Sequence, residues 1–308
     1  MDAMRLSPAQ RRTLEGLIGT GDRPVFAAEV VSRIRGRLEE AVRVAAPAEP
    51  IWLGKSNLAD LDRCPGLFEA VRAGERGPFA YSERFAAGRL AHKAIELEVA
   101  GRVERDPHAL AEASVERLLE DDAFAAYWDG LDELRRDEIL MAATKTLELF
   151  RSTMPPLRLL RRHLAPCTEW PVRVELAGGA LVLSGTLDLV LGRPAEDDPL
   201  RAARLAIDLK TGRAWPEHAE DMRFYALLLA LRFGVPPYRV ATLYLDSGEW
   251  QAEDVDERVL SHAADRVVRA VERAAGSGPT ELRPGPYCAW CPRTVTCPVS
   301  AAPEPAQA

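Results

Sequence analysis

The segment RLAIDLKTG, from Arg204 to Gly212, constrains the chain more than any other. It reads as an apolar strand, yet Asp208 interrupts Leu205, Ala206, Ile207 and Leu209, and Lys210 follows two residues later. Strand side chains repeat every two residues, so Asp208 and Lys210 share one face. A charge in such a strand is expensive unless it is paired or bound to a metal. Asp188, in SGTLDLVLG, is a second acid in an apolar strand pattern. A structural ion pair between Asp188 and Lys210 is one resolution, and a metal centre is the other.

The pattern changes along the chain. Residues 1–50 read as helices, and further helices are expected over 56–73, 82–103 and 107–165. Ser7 caps one over PAQRRTLEGLIG, with Pro8 in its first turn. Asp22 precedes a second helical pattern, two short helices break at Cys64-Pro65, and residues 82–103 carry GRLAHKAIELEVAG. Further helices run over 107–165, broken near Pro107 and Pro155-Pro156. After Pro166, TEWPVRVEL and ALVLSGTLDLVLG read as two strands around a Gly178-Gly179 turn. RLAIDLKTG is a third strand. A helix over 216–233 follows, with Met222, Tyr225, Leu228 and Leu229 on its apolar face. RVATLYLDSG is a fourth strand, Trp250 marks a short fifth, and a helix covers 254–275. This order predicts an α/β fold with a large helical N-terminal part, not a doubly wound layout. Neither GxGxxG nor GxxxxGK[ST] occurs, which leaves no dinucleotide or P-loop signature.

The residue types suit phosphodiester hydrolysis. Two carboxylates at one end of a sheet can hold Mg²⁺ or Mn²⁺, hard ions that prefer oxygen. A lysine beside them can stabilise the transition state or, if desolvated and neutral, act as base. His92 follows Gly88 by one helical turn in GRLAH, so the two share a face, and Glu96 one turn later is placed to hold the imidazole.

Together, G-x-x-x-H (Gly88 to His92), G-T-L-D (Gly185 to Asp188) and D-L-K-T-G (Asp208 to Gly212) resemble the RecB-type, AddB-like nuclease domains of the PD-(D/E)xK superfamily, over about residues 56–298. The resemblance implies a restriction-endonuclease-like core, a mixed central sheet flanked by helices. It divides the chain into a helical segment 1–55, a nuclease domain 56–298 with a helical insertion 104–165, and a disordered tail 299–308. It implies His92, Asp188 and Asp208 as metal ligands, the main-chain carbonyl of Leu209 as a further one, and Lys210 as catalytic. Glu169 is a lesser candidate, on the preceding strand. The family's Q-x-x-x-Y helix appears as DMRFY, Asp221 to Tyr225. Tyr225 is expected to contact nucleic acid or to pack in the core. Asp221 stands where glutamine is usual and would repel phosphate unless Arg223 or a metal compensates.

Five cysteines make a poor disulfide framework. Cys288, Cys291 and Cys297 lie within ten residues, and with Cys64 they supply four thiolates for a [4Fe–4S] cluster or a tetrahedral Zn²⁺. Spacing alone does not choose between them. The layout resembles cluster-bearing nucleases of the same family, which implies an iron–sulfur staple between the chain's two ends. Cys167 stands outside this pattern as a packed thiol.

Arg158, Arg161 and Arg162, in RLLRRH, are expected on one helix face where they can track a nucleic-acid backbone. Trp215 and Trp290 can stack on bases or pack internally. A net charge of −7 argues against a general nucleic-acid coat protein. No apolar run reaches the roughly 18 residues of a membrane span, and the N-terminus lacks a secretory layout, so the expected compartment is the cytoplasm. The expected activity is metal-dependent DNA hydrolysis, by a single-strand or end-directed exonuclease in repair, recombination or defence. No helicase motif is present, so unwinding would fall to a helicase or another repair or defence partner. A catalytically weak nucleic-acid- or helicase-binding module and a zinc-stabilised RNA-processing enzyme are the alternatives.

Overall fold

The computed structural model describes residues 6–19, 21–276 and 279–300. The helices of the N-terminal half are α1 (Pro8–Arg12, continued by a π-helical segment Thr13–Ile18), α2 (Glu29–Ala45), α3 (Lys55–Arg63), α4 (Pro65–Arg72), α5 (Glu83–Ala100), α6 (Pro107–Leu118), α7 (Asp122–Asp129), α8 (Glu133–Thr153) and α9 (Arg161–Leu164). The strands are β1 (Ile51–Leu53), β2 (Cys167–Leu176), β3 (Leu181–Leu191), β4 (Leu205–Lys210), β5 (Arg239–Tyr244) and β6 (Glu249–Asp254), with α10 (Glu217–Phe233) before β5 and α11 (Glu257–Ala275) after β6. Short polar side chains start many of these helices. Ser7 forms a capping box with Gln10, Ser82 accepts from the Phe85 amide, and Asp106, Asp121, Asp132 and Asp256 cap in the same way.

Two local expectations change. The helical segment 1–55 also contributes a strand, β1, with Ile51 and Leu53 buried and Trp52 exposed. Three residues are too few for a strand period to stand out in a sequence. The helix expected to carry Arg158, Arg161 and Arg162 together contains only the last two; Arg158 lies in the turn before α9. Of the tail expected to be disordered, residues 301–308 lie outside the described residues.

The six strands form one mixed sheet in the order β1-β3-β4-β5-β6, with β2 also on β3. β2 runs antiparallel along almost all of β3, from Cys167↔Val190 to Leu176↔Leu181. The other edge of β3 is shared: β1 pairs parallel with Leu181 to Leu183, and β4 pairs antiparallel with Leu189 to Leu191. Between these two partners, Ser184 to Asp188 face a fork in the sheet. The β3–β4 ladder ends at Leu189↔Ile207, so the next opposed positions are Asp188 and Asp208.

Alternation sorts the sheet's apolar side chains into two layers. Ala206 and Val240 pack with α2, α10 and α11. Leu205, Ile207, Leu209 and Leu243 pack with Ile95 of α5 and with Leu147 and Phe150 of α8. A smaller cluster joins α5, α6, α7 and α8 around Phe124 and Ile139. Among the described residues no helix is long and apolar enough to cross a membrane.

One buried cation fixes α3 against the core. Arg266 of α11 is only 3% exposed, donates to Asp62 at 2.6 and 2.9 Å, and donates to the Glu220 carbonyl at 3.0 Å. Removing one partner of a buried pair usually costs about 3–5 kcal/mol. Glu220 Oε2 remains 3.5 Å from the guanidinium, so Asp62→Ala should cost less, about 2 kcal/mol. Urea denaturation monitored by circular dichroism checks this, and a loss within error of zero would remove Arg266 as the anchor of α3.

Candidate metal centre

The fork places three acids side by side. Continuing the register, Glu169 on β2 lies opposite Asp188 on β3, which lies opposite Asp208 on β4. Thr168↔Leu189 and Trp170↔Leu187 pair normally, while the pairing of Glu169 with Asp188 is interrupted. Glu169 has φ +46°, a left-handed backbone unusual for glutamate. Such strain costs about 1–3 kcal/mol and persists where surrounding structure enforces it.

His92 completes the cluster from α5. One ligand atom each from His92, Glu169 and Asp188 lie within 4.8 Å of one another. His92 Nδ1 is 3.8 Å from Asp188 Oδ2, and the same oxygen accepts the Leu209 amide at 2.6 Å. Leu209 thus supports Asp188 through its N–H. Glu96, expected to hold His92, is paired with Lys93 instead.

Asp208 is 1% exposed and lies between two ammonium groups: Lys55 Nζ is 2.8 Å from Oδ1 and Lys210 Nζ is 2.8 Å from Oδ2. Lys55, the first residue of α3, was not singled out in the sequence. Its hydrogen bond crosses 153 positions, beyond any local pattern. Lys210 is close to Oδ2 but off hydrogen-bonding geometry, so that buried oxygen keeps an unsatisfied acceptor. His92, Glu169 and Asp188 together offer a hard divalent cation oxygen donors and one imidazole, while Asp208, on the neighbouring strand, stands outside that group of three and keeps an unsatisfied oxygen beside Lys210.

The motif glycines have steric roles. A Cβ on Gly185 would come within 2.8 Å of the Tyr225 ring, and one on Gly88 within 3.0 Å of Thr211 Oγ1. G-T-L-D therefore admits Tyr225, and G-x-x-x-H admits the D-L-K-T-G turn. Gly212 has φ +124°, a conformation for which glycine is suited.

The residues expected to touch nucleic acid are engaged inside the protein. Tyr225 is 2% exposed and donates to the Thr186 carbonyl at 2.5 Å, which makes it a support for β3. Arg223 pairs with Glu253 and Glu220, and so does not offset Asp221 alone. Arg158 pairs with Glu104, and Arg161 donates to the Val99 and Gly101 carbonyls. Arg162 is exposed. The cations beside the site are others. Arg84, Arg213, Trp215 and Lys210 line a groove of about 980 Å³, and Arg89, Lys93, His92 and Asp188 line one of about 620 Å³. Thr211 borders both. Trp215 is 47% exposed, with the Arg213 guanidinium 4.0 Å from its ring centre. Trp290, also exposed, belongs to the cysteine loop.

Cys64, Cys288, Cys291 and Cys297 line a single cavity of about 270 Å³. The Arg283 amide points at Cys64 Sγ at 3.5 Å and the Gly285 amide at Cys288 Sγ at 3.4 Å. Burial pushes the Cys291 thiol up, and Cys288, Cys64 and Cys297 push it the same way. The loop also rests on protein contacts: Tyr287 donates to the Arg63 carbonyl at 2.8 Å and Arg293 pairs with Glu75. Cys167 is exposed, not packed as expected.

Burial raises both Glu169 and Asp188, and each also feels a neighbouring acid; Glu169 is pushed up to about 7. Burial would raise Asp208 too, but Lys55 and Lys210 hold it below its ordinary value.

The chain belongs to the PD-(D/E)XK nuclease superfamily, whose family model matches residues 53–298. A search of curated proteins gives no match. Among solved structures, the chain is similar to the crystal structure of SSO0001, at 16% identity and a TM-score of 0.36, over 92% of this chain and 98% of that one.

The raised Glu169 has a consequence for the metal-free protein. Between its ordinary 4.5 and about 7, the folded chain holds a proton that the unfolded chain has lost. Stability therefore falls as pH rises through that window and levels off above it. Urea midpoints in chelator should drop from about pH 5 to about pH 7, and Glu169→Gln should flatten the slope. An equally steep slope in the variant would assign it to other groups.

Proposed function

We propose that this protein is a metal-dependent deoxyribonuclease acting on single strands or DNA ends, as an exonuclease in repair, recombination or defence. The observation that carries the reading is the row Glu169, Asp188 and Asp208 at the sheet fork, with His92 above it and Lys210 beside it. Glu169, Asp188, Asp208 and His92 hold Mg²⁺ or Mn²⁺, with the Leu209 carbonyl as a further ligand. When bound, the ion neutralises charge on phosphate oxygens and makes water a better nucleophile at neutral pH. Asp208, held below its ordinary value by two lysines, stays a carboxylate throughout. Lys210 brings an ammonium to the mouth of the larger groove, placed to stabilise negative charge developing on phosphate. The two grooves meet at Thr211 and give a strand a path past the acids, and the exposed Trp215 offers a base a stacking surface. Action from ends suits coupling to a separate helicase or another repair or defence protein.

The four cysteines hold a [4Fe–4S] cluster in this reading. Among the described residues, the one group of three ligand atoms within 4.8 Å of one another is His92, Glu169 and Asp188, so the cysteine sulfurs are spread more widely. A tetrahedral zinc with bonds of about 2.3 Å needs sulfurs under about 4 Å apart. The wider spread and the cavity between the sulfurs suit the larger group. Closing the loop from Cys64 to Cys288, roughly 220 residues, is worth on the order of 5 kcal/mol in the chain-entropy model.

Two measurements test these assignments. With Mn²⁺, the purified protein should degrade end-labelled single-stranded DNA, and Lys210→Ala should slow it about 100- to 1,000-fold. Asp208→Ala should abolish cleavage, and equal activity in wild type and both variants would remove the proposal. Anaerobically purified protein should be brown and contain iron and sulfide, whereas Cys64→Ser should lose the colour and about 5 kcal/mol of stability. Stoichiometric zinc in a colourless wild type would decide for the other cofactor.

A further inference from the structure

Lys55 belongs to none of the motifs, yet its surroundings mark it as part of the centre. It lies at the first turn of α3, where the chain leaves β1 and enters the fork opposite β4. Its ammonium donates to Asp208 Oδ1 at 2.8 Å and sits 5.0 Å above the Tyr225 ring, and its side chain is 25% exposed. The α3 backbone approaches closely at this point. A Cβ on Gly54 would come within 3.2 Å of the Ser184 carbonyl. The helix is then fixed by Asp62 on Arg266. The position of Lys55 is thus determined from both ends of α3.

Lys55 also feels the charge of Asp221, the acid in the place of glutamine. Both Lys55 and Lys210 act on the half-buried Asp221 carboxylate, and Asp221 acts in turn on Lys55. Arg223, the neighbouring cation on α10, is committed to Glu253 and Glu220. Around the fork stand Glu169, Asp188, Asp208 and Asp221, with Lys55 and Lys210 as the ammonium groups beside Asp208. In two-ion phosphodiester sites the second ion sits about 3.5–4 Å from the first. Here a fixed ammonium stands against the acid that would help hold it.

We propose that Lys55 is a resident second cation, held by Asp208 and balanced by Asp221, so that this centre takes a single divalent ion. The inference rests on the metal-dependent reading above and deepens it. Lys55 and Asp221 then form a compensated exchange: the acid that would repel phosphate is answered by a lysine supplied from α3. Lys55 acts as a positioning residue, orienting Asp208 through their 2.8 Å hydrogen bond.

Calorimetric titration of the full chain with Mn²⁺, with bound ion counted independently by electron paramagnetic resonance, tests this. Wild type should take one tight ion per chain. Lys55→Ala should take two, the second lost again in Lys55→Ala/Asp221→Asn, and Lys55→Arg should remain at one. Circular dichroism melts establish that each variant is folded. Two tight ions in wild type, which requires no variant to fold, would overturn the inference, as would one ion in folded Lys55→Ala. A second ion that persists in the double variant lies elsewhere and also overturns it. No tight ion in wild type would instead remove the metal-dependent reading on which the inference stands.

Discussion

Like charges confined at a fork in a sheet are the constraint around which this molecule is arranged. Two unit charges about 4.8 Å apart repel by about 3.5 kcal/mol at an effective dielectric near 20. One oxygen of Glu169 and one of Asp188 lie within 4.8 Å of each other, and Asp208 follows on the next strand. A folded domain has only about 5–15 kcal/mol of net stability. Repulsion of this size must be answered locally, and the structure answers it by different means at each acid. Asp208 is charged and doubly paired. Asp188 accepts a backbone amide and faces an imidazole. Glu169 is pushed toward its protonated form.

This difference along the row has a chemical use. Asp208, paired with both lysines, is held as an anion, while Asp188 and Glu169 are both pushed toward protonation, Glu169 on a strained backbone. A cation arriving between them reverses the balance at Glu169, because opposite charge favours the ionised form. Ion binding at this row would then be linked to folding.

The parts of this arrangement legible in the sequence are those that obey a short period. Asp208 and Lys210 share a face because a strand repeats every two residues, and Gly88 and His92 share one because a helix turns in about four. The hairpin around Gly178-Gly179, the break at Cys64-Pro65 and the final helix follow from local turn and capping chemistry. Residues without a local period were harder to place. β1 is only three residues long. Arg158 separates from Arg161 and Arg162 because the turn after Pro155-Pro156 delays α9. The motif points Tyr225 toward nucleic acid, and in the fold its ring fills the room that Gly185 leaves by having no side chain.

Lys55 was the least legible residue, although a trace of it was present. An aspartate in place of an amide, close enough to feel Asp208, demands a cation from somewhere in the fold. The nearest arginine in sequence, Arg223, was the natural candidate, but its guanidinium reaches β6 and pairs there with Glu253. The cation comes instead from a helix that enters the fork beside β3, an element that no periodicity links to α10. Charge balance can state that such a residue must exist. Only the topology, which puts β1 and β4 on the same edge of β3 and leaves a gap between them, can say which one it is.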